Sequence, residues 1–179
     1  MKDADVEALD MDGWPIPDSY LIEIGRISAL WAGLEFFLNT CIGKLAGFNE
    51  LNDPKPSILV YHSSFPQKLE MLGSLCEHLR PDFPDLSEYS LVIGKLRAAQ
   101  KARNTYVHNS IVEDPDTGKM MMPKASFRGK VDASVLPVSL ADIRRASVAV
   151  DDAQRALYKL ILRRDLPSLS ERRGKSDEQ

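Results

Sequence analysis

Residues 87–108, SEYSLVIGKLRAAQKARNTYVH, combine a helical repeat with an unusual polar ending. Apolar side chains spaced three or four residues apart fall on one face of an α-helix. Six residues share this face: Tyr89, Val92, Leu96, Ala99, Tyr106 and Val107. Arg103 lies in the middle of the same face, where an unpaired cation would be costly. The segment therefore predicts a packed helix in which Arg103 meets either a carboxylate or a cleft open to a ligand.

Three further helices are predicted from the same spacing, over about residues 18–46, 64–80 and 139–164. The second and the last of the four predicted helices begin with capping-box sequences. Short connections favour antiparallel neighbours. The sequence therefore predicts an all-α fold, a four-helix antiparallel bundle, with a β-hairpin inserted between the third and last helices.

The hairpin is predicted at about residues 110–135, where PDTG supplies the turn and Pro123 places its second strand at a sheet edge. Five residues here are candidates for RNA contact: Lys119, Lys124, Phe127, Arg128 and Lys130. Basic and aromatic side chains can hold a single strand by phosphate contacts and stacking. Lys and Pro are equally the residues that keep an edge strand from aggregating. The sequence leaves both interpretations open.

The predicted bundle fills residues 18–164 as one domain. Residues 1–17 are expected to form an extended arm pinned by Trp14 and Ile16, and residues 165–179 to be disordered.

Composition points to a cytoplasmic protein. The 179 residues contain no apolar run long enough to span a membrane, and the acidic start is no signal peptide. Cys41 and Cys76 lie in helical patterns, which favours buried thiols in a reducing compartment. The net charge of -3 argues against a protein that coats nucleic acid nonspecifically, although a local basic site is compatible with it.

Glu35, within LWAGLEFFLN of the first helix, is the internal carboxylate that would satisfy Arg103. Asn104 and His108 share a different face, about 100° to 140° away from Arg103 around the helix. Arg103 and His108 are therefore poor neighbours in a straight helix. They converge only if the helix unwinds at His108, or if a second subunit presents its own copy.

An Arg and an Asn followed, after three residues, by a His at the end of the third bundle helix resemble the signature of the HEPN superfamily, named for higher eukaryote and prokaryote nucleotide-binding domains. The resemblance implies a bundle that dimerises through the motif-bearing helices. In many members the paired motifs form a metal-independent ribonuclease of toxin–antitoxin, phage-defence or CRISPR-associated systems. An RNA or nucleotide ligand and an antitoxin protein are the implied partners, and no cofactor is implied.

Carried over by position, Arg103 would stabilise the scissile phosphate and Asn104 would orient it. His108 would exchange a proton with the 2′-hydroxyl or the leaving oxygen. Glu35 and Tyr106 are supporting candidates that do not come from the family's motif. Members paired with a nucleotidyltransferase antitoxin often have a Tyr two residues after the His, where this chain has Ser110. Inactivation by modification of that Tyr is therefore not supported.

Two hypotheses remain open from the sequence. The first is a dimeric, metal-independent endoribonuclease. The second is a non-catalytic binding or scaffold module in which Arg103 fixes the register of two helices by pairing with Glu35. His62 and His78 are interpreted as surface or capping residues, and no phosphate-binding glycine-rich loop is present.

Overall fold

A computed structural model describes residues 15–48, 53–126 and 132–173 of the chain. The helices are α1 (Asp18–Leu45), α2 (Lys55–Val60), α3 (Phe65–Leu79), α4 (Tyr89–Val107), α5 (Leu140–Leu162) and α6 (Leu169–Arg173). A 3₁₀ helix, Pro84–Glu88, leads into α4. The strands are β1 (Val112–Glu113), β2 (Met120–Ser126) and β3 (Asp132–Pro137). The predicted mainly helical class with an inserted β element is confirmed.

The ends of the chain agree only in part with the predictions. Ile16 packs on the protein body as expected, whereas Trp14 lies outside the described residues. Residues 169–173 form α6, so the prediction of a disordered tail is wrong there. Arg172 of α6 pairs with Asp151, which is buried on α5.

Helix α1 contacts α2, α3, α4 and α5. It runs in the same direction as α5, because contacts join both pairs of equivalent ends. Near the N-terminal ends, the Tyr20 hydroxyl donates to the carbonyl of Val138 at 3.1 Å. Near the C-terminal ends, the rings of Phe37 and Tyr158 stack with centroids 5.5 Å apart. Two long neighbouring helices are therefore parallel.

Helices α1 and α3 are parallel as well. The rings of Trp31 and Phe65 lie 4.4 Å apart, and further along the two helices Leu45 and Leu79 line one cavity. The two helices are parallel because α2, which follows α1 in the chain, runs back along α1 and packs Pro56 on Gly43. The prediction of antiparallel neighbours is wrong for this pair, because the connector is a returning segment and not a short turn. The four-helix antiparallel bundle is not confirmed.

The apolar side chains form two clusters. The main cluster joins α1, α3, α4 and α5, and it contains Trp31, Phe65, Leu96, Ala99 and both thiols. Burial raises the pKa of Cys76 to about 11 and raises that of Cys41 further. The sheet-side cluster packs the strands on the N-terminal parts of α1 and α5; it contains Ile27, Ile111, Met120, Met122, Val138, Ile143 and Ala146.

The three strands form one antiparallel sheet in the order β1-β2-β3. The predicted hairpin is present as β1 and β2, joined by a turn in which Asp114 accepts from the main chain and Gly118 has a φ of 64°. Pro123 lies in the central strand, opposite Val135, and not in an edge strand. The sheet accommodates it because β1 pairs only with Met120 and Met121, which leaves Pro123 with a neighbour on one side.

A buried carboxylate joins α1 to α5, and it is Glu23. Its side chain accepts from the Arg144 Nε at 2.8 Å and pairs with Arg26. The hydrogen bond from Arg144, with the help of Arg26, holds the pKa of Glu23 below its usual value despite the cost of burial. Glu23 continues the apolar spacing through Ile27 and Trp31, so the sequence contained the signal for its burial.

We predict opposite effects for two alanine substitutions in α1. A β-carbon at Gly43 would overlap the Pro56 ring, so Gly43→Ala should lower the free energy of unfolding by about 1–3 kcal/mol. A β-carbon at Gly33 would meet no atom within 4 Å, so Gly33→Ala should raise it by about 0.5–1 kcal/mol. Urea unfolding of both variants measures the difference; equal effects would contradict the close approach of α2 to α1.

We predict that Glu23→Gln lowers the free energy of unfolding by about 1–2 kcal/mol at neutral pH, a modest loss because both arginines reach solvent. The lowered pKa means that the carboxylate stabilises the fold above the usual Glu range. That contribution disappears as the pH falls through the lowered pKa. Urea unfolding of wild type and variant across acidic pH should show the two curves converging. A difference in the free energy of unfolding that stays constant over this pH range would contradict the stabilising role of the carboxylate.

Candidate functional site

Arg103 lies on α4 where the two apolar clusters meet. Ala99, one turn before it, belongs to the main cluster, and Ala102 packs against the sheet-side cluster. The guanidinium carbon lies 5.7 Å from the centroid of the Trp31 ring, within the range of a cation–π interaction. The half-buried cation is therefore supported from below by an aromatic face.

The polar partners of the Arg103 guanidinium are the other two residues of the motif. Its Nη1 donates to the Asn104 Oδ1 at 3.0 Å and lies 2.5 Å from the His108 Nε2. Its buried Nε has no hydrogen-bond partner among the residues that the structure describes. In the described ranges of the chain, Arg103 forms no ion pair with any carboxylate. This cation retains the capacity to bind an anion.

Glu35 does not pair with Arg103, so that prediction is wrong. Its carboxylate accepts from the Nζ of Lys68 at 2.7 Å. The cause is the parallel arrangement of α1 and α3, which places Lys68 one turn beyond the contact between Trp31 and Phe65. The side chain of Lys68 is 5% exposed and that of Glu35 is 36% exposed, so the lysine is the buried partner.

His108 reaches Arg103 because the helix ends just before it. Helix α4 stops at Val107, and His108 has φ -112° and ψ -1°, while its N–H still donates to the carbonyl of Asn104. The backbone therefore leaves the helix at His108, which is the change that the imidazole needs in order to approach Arg103. Arginine has no acceptor, so the His108 Nε2 accepts the hydrogen bond. The arrangement requires a neutral ring with its proton on Nδ1.

The structure separates the other predicted site residues from this group. Tyr106 packs on the sheet-side cluster, where burial and the nearby Asp142 raise the pKa of its hydroxyl. Lys119 precedes β2 and Lys124 lies within it, without a hydrogen bond or ion pair to the motif. The remaining RNA-contact candidates lie outside the described residues: Phe127, Arg128 and Lys130. Two of the hairpin's methionines are core residues.

Sequence reasoning missed the charge of α4 itself. The helix contains no Asp or Glu, and it contains four cations: Lys95, Arg97, Lys101 and Arg103. An open polar depression of about 440 Å³ lies along it, lined by Arg97, Gln100, Lys101, Asn104, Thr105 and Asn109. The lack of acidic residues over 19 positions, in a chain of net charge -3, was the signal that the sequence offered.

Other kinds of site find little support in the described part of the chain. His62 and His78 are exposed, as predicted. No group of three or more His, Cys, Asp or Glu side chains there is arranged to hold a metal ion. No helix among these residues has the length and apolar character needed to cross a bilayer.

Comparison with known proteins does not assign a family. No family model, curated protein or solved structure matches the chain. The resemblance to the HEPN superfamily stays a prediction that rests on Arg103, Asn104 and His108.

We predict that Arg103→Met changes the free energy of unfolding by less than about 1 kcal/mol, because no buried carboxylate loses its partner. The matched control is Lys68→Met, which leaves Glu35 unpaired and should cost about 1–2 kcal/mol, reduced by the partial exposure of that carboxylate. Thermal and urea unfolding measure both. An equal loss in Arg103→Met would show that Arg103 is a structural residue.

Proposed function

We propose that the chain is a HEPN-like endoribonuclease that cleaves RNA without a metal ion. One observation carries the proposal: a half-buried guanidinium, which pairs with none of the described carboxylates, is hydrogen-bonded to an amide and to an imidazole. Arginine binds phosphate oxygens through two parallel hydrogen bonds, and histidine transfers protons near neutral pH. These are the groups required for cleavage of a phosphodiester by its neighbouring 2′-hydroxyl.

Binding of RNA would change the bonding within the site. In the free protein the lone pair of the His108 Nε2 is occupied by Arg103. When the guanidinium turns to the scissile phosphate, that lone pair becomes free to accept a proton. Asn104 keeps its amide N–H groups as donors for a phosphate oxygen, since its Oδ1 accepts from Arg103. Binding of the substrate would therefore free the Nε2 of His108 to act as the general base.

The chemical step then follows from these roles. The His108 Nε2 takes the proton of the 2′-hydroxyl while the 2′-oxygen bonds to phosphorus and the bond to the 5′-oxygen breaks. Arg103 stabilises the charge that develops on the other phosphate oxygens. The leaving 5′-oxygen must gain a proton, and His108 of a second copy, paired through α4 and entering the step as the imidazolium, would donate it from its Nε2. One imidazole then gains a proton and the other loses one, and exchange with water restores both. The products are a 2′,3′-cyclic phosphate and a 5′-hydroxyl.

The alternative is a non-catalytic RNA- or nucleotide-binding module that uses the same Arg103. One observation favours it: the His108 Nε2 is engaged by Arg103 and cannot accept a proton in this arrangement. Such a module would bind phosphate and leave the chain intact. The two proposals differ in whether RNA is cleaved. The endoribonuclease would be an enzyme of a toxin or defence system, whereas the module would be a helical scaffold that only binds.

We predict that the wild-type protein cleaves a mixed RNA pool in EDTA and that His108→Ala reduces the rate by about 10²- to 10⁴-fold, the usual contribution of a general base or acid. His78→Ala is the matched control, because His78 is exposed at the end of α3 and should leave the rate unchanged. Circular dichroism confirms that each variant is folded.

Two further arms test the chemistry. Arg103→Lys keeps the charge but cannot form two parallel hydrogen bonds with a phosphate. The cleavage rate should therefore fall while the protein stays folded. A substrate with 2′-deoxyribose at the cleaved position should not react at all. Binding without cleavage by the wild type would support the module. Cleavage by His108→Ala at the wild-type rate would remove His108 from the mechanism.

A further inference from the structure

We propose that the outward face of α4, centred on Arg97 and Lys101, binds the sugar–phosphate backbone of single-stranded RNA next to the cleaved bond. The proposal deepens the proposed function and rests on it, since it names the strand that would lie beside the site. It assigns two binding residues outside the Arg103–Asn104–His108 motif. It also describes the contact as one with phosphates and not with bases.

The arginines of the protein differ in whether a carboxylate compensates their charge. Seven of the ten arginines whose side chains the structure describes form ion pairs with carboxylates. Two of the three that do not, Arg97 and Arg103, lie on α4. Lys101 forms no ion pair with the described carboxylates either, and α4 offers no acidic residue within its length. The helix therefore presents uncompensated positive charge at the surface of an acidic protein.

The cations of this face are regularly spaced along α4. Arg97, Lys101 and Asn104 lie four and three residues apart, so their side chains share one face of the helix. Lys101 lies about 6 Å along the axis from Arg97, a step suited to successive phosphates of an extended strand. Asn104 lines the same depression and also bonds to Arg103. The basic face is thus continuous with the candidate catalytic group.

The lining of the depression is polar and cationic. The six residues around the depression carry guanidinium, ammonium, amide and hydroxyl groups, with no carboxylate and no aromatic ring. Proteins that bind the bases of a single strand present aromatic side chains for stacking. Phosphate contacts, in contrast, depend strongly on salt and tolerate any sequence. This face would therefore add affinity without sequence preference.

The test uses a labelled oligouridylate and protein carrying His108→Ala, so that cleavage does not disturb the binding measurement. Fluorescence anisotropy in EDTA gives the dissociation constant over a range of salt concentrations. The double substitution Arg97→Ala/Lys101→Ala should weaken binding about tenfold at low salt and reduce the slope of log affinity against log salt by about 1.4, the value for two phosphate contacts on a single strand.

The matched control is Lys95→Ala/Arg164→Ala, which removes one lysine and one arginine as well. Both residues are exposed, and Lys95 lines a different cavity together with Asp85 and Glu88. The control should keep the parental slope. The exchange Arg97→Lys/Lys101→Arg should also keep it, which shows that charge at these positions and not a disturbed helix is responsible.

An equal loss in the two alanine pairs would overturn the proposal, because net charge alone would then explain binding. No measurable binding by the His108→Ala protein would overturn it too. The inference and the proposed function fail separately. If cleavage depends on His108 but Arg97→Ala/Lys101→Ala does not change RNA binding, only the proposal that this face of α4 binds RNA is refuted. If Arg97→Ala/Lys101→Ala changes the slope of log affinity against log salt but the wild type does not cleave RNA, only the nuclease proposal is refuted.

Discussion

The structure depends on α1, the helix against which the other long helices pack. Its buried side supplies Ile27 to the sheet-side cluster and Trp31 to the main cluster, so one element holds both parts of the core together. Trp31 also lies beneath the guanidinium of Arg103. The residue that organises the core is therefore the one that supports the cation, and α4 cannot shift along α1 without moving the candidate site.

Helix α4 keeps a cation at a position that packing alone would give to an apolar residue. An aromatic face, an amide and an imidazole stabilise it less than a carboxylate would, and in the described part of the chain its buried Nε finds no partner. Proteins accept such local costs where a site needs them. Because Lys68 pairs with Glu35, the carboxylate that the sequence offered as a partner for Arg103 is already engaged.

Local patterns in the sequence predicted the helices well, because caps and apolar spacing act within a few residues. The capping boxes that begin at Ser64 and Ser139 are both present. The partner of Glu35 was not predictable in the same way, because it depends on the direction of α3 and hence on the path of the whole connector. The contact of His108 with Arg103 likewise depends on one backbone turn, which decides where the imidazole points.

The parallel pairing of α1 with α5 joins residues that lie far apart in the sequence. Tyr20 and Val138, 118 residues apart, and Glu23 and Arg144, 121 residues apart, must meet to close the sheet-side cluster. Helices α3 and α4 meet through residues close in sequence, as in the bond from Tyr89 to Glu77. During synthesis these contacts between α1 and α5 therefore cannot form until α5 has left the ribosome, because their two partners lie at least 118 residues apart in the chain.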